Sequence, residues 1–270
     1  MSTSASAQEF PDPAARVCNR TGRAPVVLLC DHATNAIPAA LGDLGLSGEQ
    51  LETHVAYDPG AAALTEAMAR ALDAPYVLCG YSRLLIDVNR EPQAADSVVV
   101  ENDGIRVPGN AGLSEQAYGA RVAQIYEPYH AAVDALLEQR RQAGETPAVV
   151  AVHSFTPRIG GRRRPWDIGL IFNRDRRLAR ALVGELVGAS VSGRLTVGLN
   201  EPYSPDDRVY HTLARHAETR GLPCVMIEVP NDQLAGPDDQ EQWADRLSQA
   251  LRAALPEVLP AGAAPDARTG

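Results

Sequence analysis

The chain of 270 residues contains no lysine, so all 25 of its basic residues are arginines. This absence excludes enzymes that form a Schiff base on lysine and those that bind phosphates with a P-loop lysine. Aromatic residues are also scarce, at 5% of the chain. Hydrophobic residues still make up 45%, which is the composition of an ordinary globular protein.

Long hydrophobic runs are missing as well. No apolar stretch approaches the roughly 20 residues needed to cross a bilayer. The first 15 residues lack the basic start and apolar centre of a secretory signal. The net charge of −9 argues against general nucleic-acid binding, which needs a basic surface. We therefore expect a cytoplasmic protein that binds neither membranes nor nucleic acid; its oligomeric state stays open.

The four cysteines show no C-x-x-C spacing, and three of them, Cys30, Cys79 and Cys224, lie in apolar runs. This pattern predicts buried thiols and no disulfide framework. Two catalytic motifs are absent too. Without G-x-S-x-G the chain is not a typical serine hydrolase, and without G-x-G-x-x-G after a strand a dinucleotide enzyme is disfavoured.

The hydrophobic residues occur in two patterns along the chain, one typical of buried strands and one typical of helices. Apolar runs predict strands at 24–30, 75–79, 84–88, 148–152, 168–172, 194–199 and 223–229. Three- and four-residue spacing predicts helices at 60–72, 114–141, 176–187, 211–219 and 240–255, with Ser114 as an N-cap. We therefore predict one α/β domain over residues 16–255, with helices on both faces of a mostly parallel sheet. Residues 1–15 and 256–270 are predicted to be disordered.

Polar residues follow the predicted strands at the point where each strand ends. The sets are Asp31–Asn35, Asp87–Arg90, His153–Phe155, Asn200–Tyr203 and Glu228. Because ligands bind beyond the carboxyl ends of strands in such sheets, we expect these residues to form one site.

His32 and His153, at two strand ends with acids nearby, point to a divalent metal. Imidazole ligands favour zinc, with a carboxylate or amide oxygen as third ligand and water as fourth. Glu228 interrupts an apolar strand and is the candidate general base, since partial burial raises the pKa of a carboxyl group.

The arginines supply candidates for binding negative charge. Arg83 could stabilise an oxyanion, and Asp87 could orient an arginine. Asn89 and Arg90 could clamp a substrate carboxylate. The Arg162–Arg164 run is either a solvated loop or a funnel for a dianionic substrate. The remaining histidines, His54, His130, His211 and His216, are interpreted mostly as structural.

Several stretches resemble the N-formylglutamate amidohydrolase (N-formylglutamate deformylase) family. They are DHATNAIP at 31–38, HVAYDPGA at 54–61, YSRLLIDVNR at 81–90, HSFTP at 153–157, RPW at 164–166, NEPY at 200–203 and IEV at 227–229. The order of these motifs is also similar to that of the wider zinc exopeptidase and aspartoacylase group.

This resemblance implies a three-layer α/β/α fold of the phosphorylase/hydrolase-like type, with a central mixed, mostly parallel sheet. It implies one zinc ion per chain and hydrolysis of the amide bond of a small N-acyl amino acid, with N-formyl-L-glutamate as the type substrate. It adds Asn200, Tyr203 and Arg164 to the candidate substrate-binding residues.

The sequence departs from the wider group at the first metal motif. That group has H-x-x-E, whereas this chain has His32-x-x-Asn35. The third ligand is therefore open between Asn35 and Asp58. Two alternatives follow: a hydrolase of another N-acyl amino acid or small peptide, and a metal-free carboxylate-binding protein on the same scaffold.

Overall fold

The computed structural model describes residues 10–188 and 195–259. Its centre is a seven-stranded sheet in the order β1-β3-β2-β6-β11-β9-β10. These strands are β1 Ala15–Cys18, β2 Val26–Cys30, β3 Tyr76–Cys79, β6 Ala148–Phe155, β9 Ile168–Ile171, β10 Val197–Leu199 and β11 Cys224–Pro230. Two short hairpins complete the strands: β4 Glu101–Asn102 with β5 Ile105–Arg106, and β7 Arg158–Ile159 with β8 Arg162–Arg163.

The four central strands, β3, β2, β6 and β11, are parallel, so their carboxyl ends share one edge. β1 is antiparallel to β3, and β9 is antiparallel to β11. β10 runs parallel to β9, so both strands end at the opposite edge. The sheet is therefore mixed but mostly parallel at its centre.

Helices cover both faces. They are α1 Gly48–Leu51, α2 Ala61–Leu72, α3 Glu115–Arg121, α4 Glu127–Gln142, α5 Arg177–Gly188, α6 His211–His216 and α7 Pro237–Val258. Short 3-10 turns lie at 39–41, 108–110, 205–207, 218–220 and 231–233. The described helices include none long and apolar enough to cross a membrane.

Alternate residues of the central strands β2, β6 and β11 enter two separate cores. Val26 and Leu28 of β2 pack with α2, α5 and α7 on one face. Val27 and Leu29 pack with α4 and α6 on the other. This two-sided burial explains the continuous apolar strands and gives the three-layer α/β/α architecture that the resemblance implies.

The predicted strand at 84–88 is wrong. Residues 81–90 form turns, although Leu84, Leu85, Ile86 and Val88 are buried. Side chains from other elements satisfy the backbone carbonyls that a strand partner would have satisfied. Asn110 donates to Leu84 O at 2.8 Å, and Arg121 donates to Leu85 O at 2.8 Å. His130 Nε2 contacts Val88 O at 2.9 Å.

The long helix at 114–141 is confirmed with an irregular centre. Ser114 Oγ caps α3 by accepting a hydrogen bond from Ala117 N. A π-helical segment, Val122–Tyr126, joins α3 to α4, whose first turn contains Pro128. Proline lacks the amide hydrogen for a regular helical bond, so the local widening fits the sequence.

Each of the two segments that were predicted to be disordered contains residues with defined structure. Phe10 packs edge-on against Tyr81, and β1 begins at Ala15. Helix α7 continues through Pro256 to Val258, because Val258 and Leu259 pack against the core. The rest of the two predicted segments, 1–9 and 260–270, lies outside the described residues. Cys30, Cys79 and Cys224 are buried free thiols, as predicted.

Candidate active site

Three buried side chains meet at the carboxyl edge of the central strands. His32 follows β2, His153 lies near the end of β6, and Asp58 precedes α2. Each is at most 3% exposed. One ligand atom from each lies within 4.8 Å of the others. The two predicted histidines are therefore brought together with a carboxylate.

The ring nitrogens of the two histidines have different partners. Nδ1 of His32 and Nδ1 of His153 face the same oxygen, Asp58 Oδ2, at 3.3 and 2.8 Å. Nε2 of His32 faces Asp87 Oδ1 at 2.8 Å, and Nε2 of His153 faces Asp31 Oδ2 at 3.1 Å. Histidines that bind metals commonly have such an outer carboxylate on the second nitrogen. Two imidazoles and one carboxylate are a donor set that suits zinc.

Asp58 owes its position to the backbone around it. Its N–H donates to His32 O at 2.9 Å, and its carbonyl accepts from Ala61 N at the start of α2. The second carboxylate oxygen, Oδ1, lies 3.4 Å from Arg83 and 3.3 Å from His54. A carboxylate before a helix N-terminus is also favoured by the helix dipole.

The charges of the site favour ionised carboxylates. Burial opposes the charge on Asp58, but His32 and His153 outweigh it and hold the pKa of this carboxyl well below its usual value. Burial likewise opposes charge on Asp87, whose pKa is held well below its usual value by His32 and Arg83. An ionised carboxylate is the form that binds a cation, so Asp58 is in the state that a metal ligand requires.

Asp31 was missed as a site residue by sequence reasoning. Besides facing His153, it accepts hydrogen bonds on Oδ1 from Tyr129 at 2.6 Å and Thr212 at 3.0 Å. The only signal in the sequence was its place between a buried strand and His32. Three partners on three different elements fix this carboxylate, and through it the ring of His153.

Glu228 lies beside the histidine cluster on β11. It is in register with His153 on β6 and with Gly169 on β9. The side chain is 4% exposed, and its Oε2 has no hydrogen-bond partner among the described residues. Burial, followed by the charge of Asp58, raises the pKa of Glu228 to about 7. A carboxyl group with this pKa is suited to general acid–base chemistry at neutral pH.

A cavity of about 170 Å³ opens onto this cluster. Its lining combines predicted and unpredicted residues: His32, His54, Asp58, Arg83, Asn89, Arg90, Asn102, Asp103, His153, Tyr203, Val209 and Glu228. His54 was interpreted as structural, yet it lines the cavity, and its Nε2 lies 2.7 Å from Ser154 O. Asn102 and Asp103 come from the β4–β5 hairpin, which carried no sequence signal.

The 83–90 segment supplies residues of the cavity wall and a carboxylate, Asp87, that contacts two side chains of the site. Arg83 lines the cavity and donates to Asp87 Oδ2 at 2.8 Å. Asp87 contacts both Arg83 and His32, so its carboxylate can orient both side chains. Asn89 lines the cavity, but its amide bonds Val209 O at 2.5 Å and Thr212 N at 2.9 Å.

Arg90 also lines the cavity. One of its terminal nitrogens donates to Arg208 O at 2.5 Å, and its Nε lies 3.3 Å from Asp96. These contacts fix the guanidinium at the wall. Asn89, by contrast, mainly holds the chain around residue 209 in place.

Two predicted residues lie outside the site, which corrects the prediction. Asn35 donates to Leu51 O at 3.0 Å and to Glu52 at 3.1 Å, so its amide is turned away from the histidines. Asn200 accepts from Phe172 N at 2.9 Å, at the edge where β10 ends. The prediction treated all strand ends as one edge, whereas β9 and β10 are antiparallel to β11.

Tyr203 reaches the cavity because the chain reverses after Asn200. Arg164 donates to the Tyr203 hydroxyl at 3.1 Å. Its guanidinium also lies over the rings of Tyr203 and Phe155, 4.8 and 5.5 Å from their centroids. Arg164 is therefore tied to the cavity through Tyr203.

Three other histidines are not among the residues that line the cavity. His130 Nδ1 lies 2.7 Å from His216 Nε2 behind the site, where the two rings stack. His211 Nε2 lies 2.6 Å from the hydroxyl of Tyr126.

The sequence profile described as N-formylglutamate amidohydrolase matches residues 24–235, which include His32, Asp58, His153 and Glu228. The chain belongs to this family. Its motifs at 31–38, 54–61, 81–90, 153–157 and 227–229 supply the histidine–aspartate cluster, Arg83, Asp87 and Glu228. No curated protein matches the chain in sequence.

Two solved structures are similar to this chain. The crystal structure of gene product Atu2144 from Agrobacterium tumefaciens is 39% identical, with a TM-score of 0.87, over 91% of this chain and 96% of that one. An N-formylglutamate amidohydrolase from Ralstonia eutropha JMP134 is 18% identical, with a TM-score of 0.63, over 89% of this chain and 99% of that one. The second likeness concerns the fold alone.

Proposed function

We propose that the protein is a zinc-dependent hydrolase of the amide bond in N-acyl amino acids, with N-formyl-L-glutamate as its first candidate substrate. The observation that carries this proposal is the pairing of a two-histidine, one-carboxylate cluster with Glu228, a buried carboxyl group that has an unbonded oxygen. Family membership supports hydrolysis of a C–N bond.

His32, His153 and Asp58 would hold the zinc ion. A bound zinc ion polarises an acyl carbonyl and lowers the pKa of water. The protein contributes by fixing the donors: Asp87 and Asp31 bond the outer nitrogens of the two histidines and set the ring orientations.

Glu228 acts as the base and then as the acid. Its carboxylate removes a proton from water as the water oxygen attacks the acyl carbon. It then gives that proton to the amine nitrogen as the C–N bond breaks. The pKa of about 7 suits both transfers. Arg83, at the same cavity, stabilises the negative charge that develops on the acyl oxygen.

Arg90 binds the carboxylate of the amino acid. It lines the cavity and its guanidinium is held by backbone carbonyls. A fixed planar guanidinium is the side chain that best recognises a carboxylate. Tyr203, supported by Arg164, supplies a further hydroxyl at the wall.

The metal-free alternative rested on the missing acidic residue at position 35. Asp58 provides a carboxylate from another loop, so the His32-x-x-Asn35 sequence does not leave the cluster without an acid. The metal-dependent reading is therefore the better supported one. A cytoplasmic location stays a prediction.

The proposal is tested by metal content and activity in matched variants. We expect about one zinc per chain in the wild type, and loss of zinc and of N-formylglutamate hydrolysis in Asp58→Asn. Asn35→Ala is the control, because its amide bonds Leu51 and Glu52 instead of facing the cluster. Equal zinc content in wild type and Asp58→Asn, or no zinc uptake by the wild type, would contradict the proposal.

A further inference from the structure

His54 is a residue of the cavity wall to which the proposed mechanism assigns no role. It lies four residues before Asp58 in the chain. Its side chain is 14% exposed, so most of the ring is buried and only a small part of it is accessible. The partners of its two ring nitrogens show which of them is left to contact a molecule in the cavity.

Nε2 of His54 carries the ring hydrogen. It lies 2.7 Å from Ser154 O and 3.3 Å from Asp58 Oδ1. A backbone carbonyl and an ionised carboxylate only accept hydrogen bonds, so the nitrogen that faces both of them must be the donor. These contacts also place the ring beside the metal cluster, because Asp58 is one of its members and Ser154 follows His153.

Nδ1 of His54 is left as a lone-pair acceptor. Within residues 10–188 and 195–259 this nitrogen has no hydrogen-bond partner. It is not one of the buried polar atoms that lack a partner, so it is accessible. A second hydrogen on Nδ1 would have no acceptor, and burial lowers the pKa of His54 as well. The neutral ring thus presents an accessible acceptor at the cavity wall.

The other polar groups of the wall differ from this one. Arg83 and Arg90 only donate hydrogen bonds. The amide oxygen of Asn89 is already bonded to Thr212 N at 2.9 Å. Asp103 is a charged acceptor and lies at the tip of the β4–β5 hairpin, away from the strands that hold the cluster. The wall therefore combines fixed donors with a neutral acceptor beside the metal cluster.

An N-acyl amino acid has one hydrogen-bond donor at its reacting bond, the amide N–H. The acyl oxygen and the carboxylate are acceptors, and the proposed mechanism assigns Arg83 and Arg90 to them. An N–H that enters the cavity loses its hydrogen bond to water, and leaving it without an acceptor disfavours binding. Nδ1 of His54 supplies the acceptor that the other assigned groups do not.

We propose that His54 Nδ1 accepts a hydrogen bond from the N–H of the scissile amide and thereby selects amides over esters. This inference rests on the proposed function and names the group that recognises the reacting nitrogen. When His54 holds the N–H on one side, the nitrogen lone pair is left for Glu228. The proton that Glu228 removed from water goes to that lone pair as the C–N bond breaks, so the amine leaves with its original hydrogen and the new one.

The test compares N-formyl-L-glutamate with (S)-2-formyloxyglutarate, an ester of nearly equal shape in which oxygen replaces the N–H. In His54→Gln the side-chain amide can still donate to Ser154 O, but the acceptor at the position of Nδ1 is gone. We expect kcat/KM for the amide to fall about 10- to 100-fold and that for the ester to change less than about threefold. A merely structural role of His54 would lower both values equally.

Two further variants control for the loss of the ring. His54→Asn keeps an acceptor oxygen bonded to Cγ, as Nδ1 is, so it should recover part of the preference for the amide. Asp103→Asn removes the charge of the other acceptor and should keep the wild-type ratio of the two kcat/KM values. An unchanged ratio in His54→Gln, or an equal fall of the ratio in Asp103→Asn, would overturn the inference.

Binding separates this inference from the proposed activity. Calorimetry with added zinc measures both ligands on Glu228→Gln and on Glu228→Gln/His54→Gln. If the wild type hydrolyses neither ligand while only the chain with His54 binds the amide more tightly than the ester, the activity fails and the inference stands. If hydrolysis proceeds and His54→Gln keeps the wild-type ratio, the activity stands and the inference fails. Equal binding of the two ligands by Glu228→Gln would also overturn it.

Discussion

In the proposed mechanism, the burial of Glu228 that suits it to catalysis also lowers the stability of the folded protein. Its pKa of about 7 lies above the ordinary value of 4.5, chiefly because of burial. The folded protein therefore keeps a proton that the unfolded chain releases between pH 4.5 and about 7. Since the folded state binds more protons in this window, the contribution of Glu228 lowers the unfolding free energy as pH rises through it.

We predict that Glu228→Gln loses about 10²- to 10⁴-fold in kcat but becomes more stable in the metal-free protein at pH 8. The gain in unfolding free energy should be on the order of 1–3 kcal/mol and should vanish below pH 4.5. Urea unfolding at pH 8 and pH 4.5, with kcat measured on the zinc-loaded protein, checks both parts. A variant less stable than wild type at pH 8 would contradict the account of the buried charge.

Asp31 is expected to act through His153. We predict that Asp31→Asn weakens zinc binding about 10- to 100-fold, because the carboxylate that fixes the His153 ring is replaced by a neutral amide. Competition with a chelator measures this affinity. Thr212→Val removes only one donor to Asp31 and should cost less than tenfold. Unchanged affinity in Asp31→Asn would mean that His153 is oriented without it.

At the scale of elements, two glycines let the chain return to the site after β10. Gly169 of β9 and Gly198 of β10 are register partners. A Cβ at Gly169 would collide with the carbonyl oxygen of Glu201, and a Cβ at Gly198 would lie 2.6 Å from Trp166 Cδ1. The bare backbone of these two strands is the surface on which the turn before Tyr203 rests.

Gly169→Ala is predicted to displace this turn and with it Tyr203. Because the obstacle is a backbone carbonyl and not a flexible side-chain tip, we expect a loss of about 1–3 kcal/mol in unfolding free energy and a raised KM. Gly184→Ala in α5 is the control, since a Cβ there meets nothing within 4 Å. Denaturant unfolding gives the unfolding free energy, and substrate titration gives KM. If both are unchanged in Gly169→Ala, the predicted collision with the Glu201 carbonyl does not occur.

At the scale of the whole molecule, the boundaries of the domain follow from what packs against the core. Ala254 and Leu255 of α7 are buried in the core that this helix forms with α2, α5 and one face of the sheet. Val258 and Leu259 pack beside them. The composition after residue 255 suggested a disordered tail. Burial of these apolar side chains outweighs the single helical bond lost at Pro256.

Two truncations test where the domain ends. A chain ending at Leu259 should keep the unfolding free energy within about 0.5 kcal/mol, as expected for the predicted tail beyond it. A chain ending at Ala253 loses four packed residues and should be less stable by about 2–5 kcal/mol. Urea midpoints distinguish the two. Equal stability of both truncated chains would place the boundary where the composition had suggested.

The sequence by itself determined the alternation of strands and helices, the two histidines and the buried Glu228. These features depend on local periodicity and on which residue types follow an apolar run, both of which a sequence displays directly. The resemblance added the family, because several motifs of unusual composition occur in a fixed order.

Only the tertiary structure decided which acidic residue joins the two histidines and where the asparagine side chains lie. Asp58 reaches the histidines through a backbone bond to His32, whereas Asn35, three residues from His32, is drawn to Leu51. The strand directions put Asn200 at the far edge, and side chains from distant helices let 84–88 be buried without forming a strand. Each outcome depends on which distant groups meet, and hydrophobic periodicity carries no information about those partners.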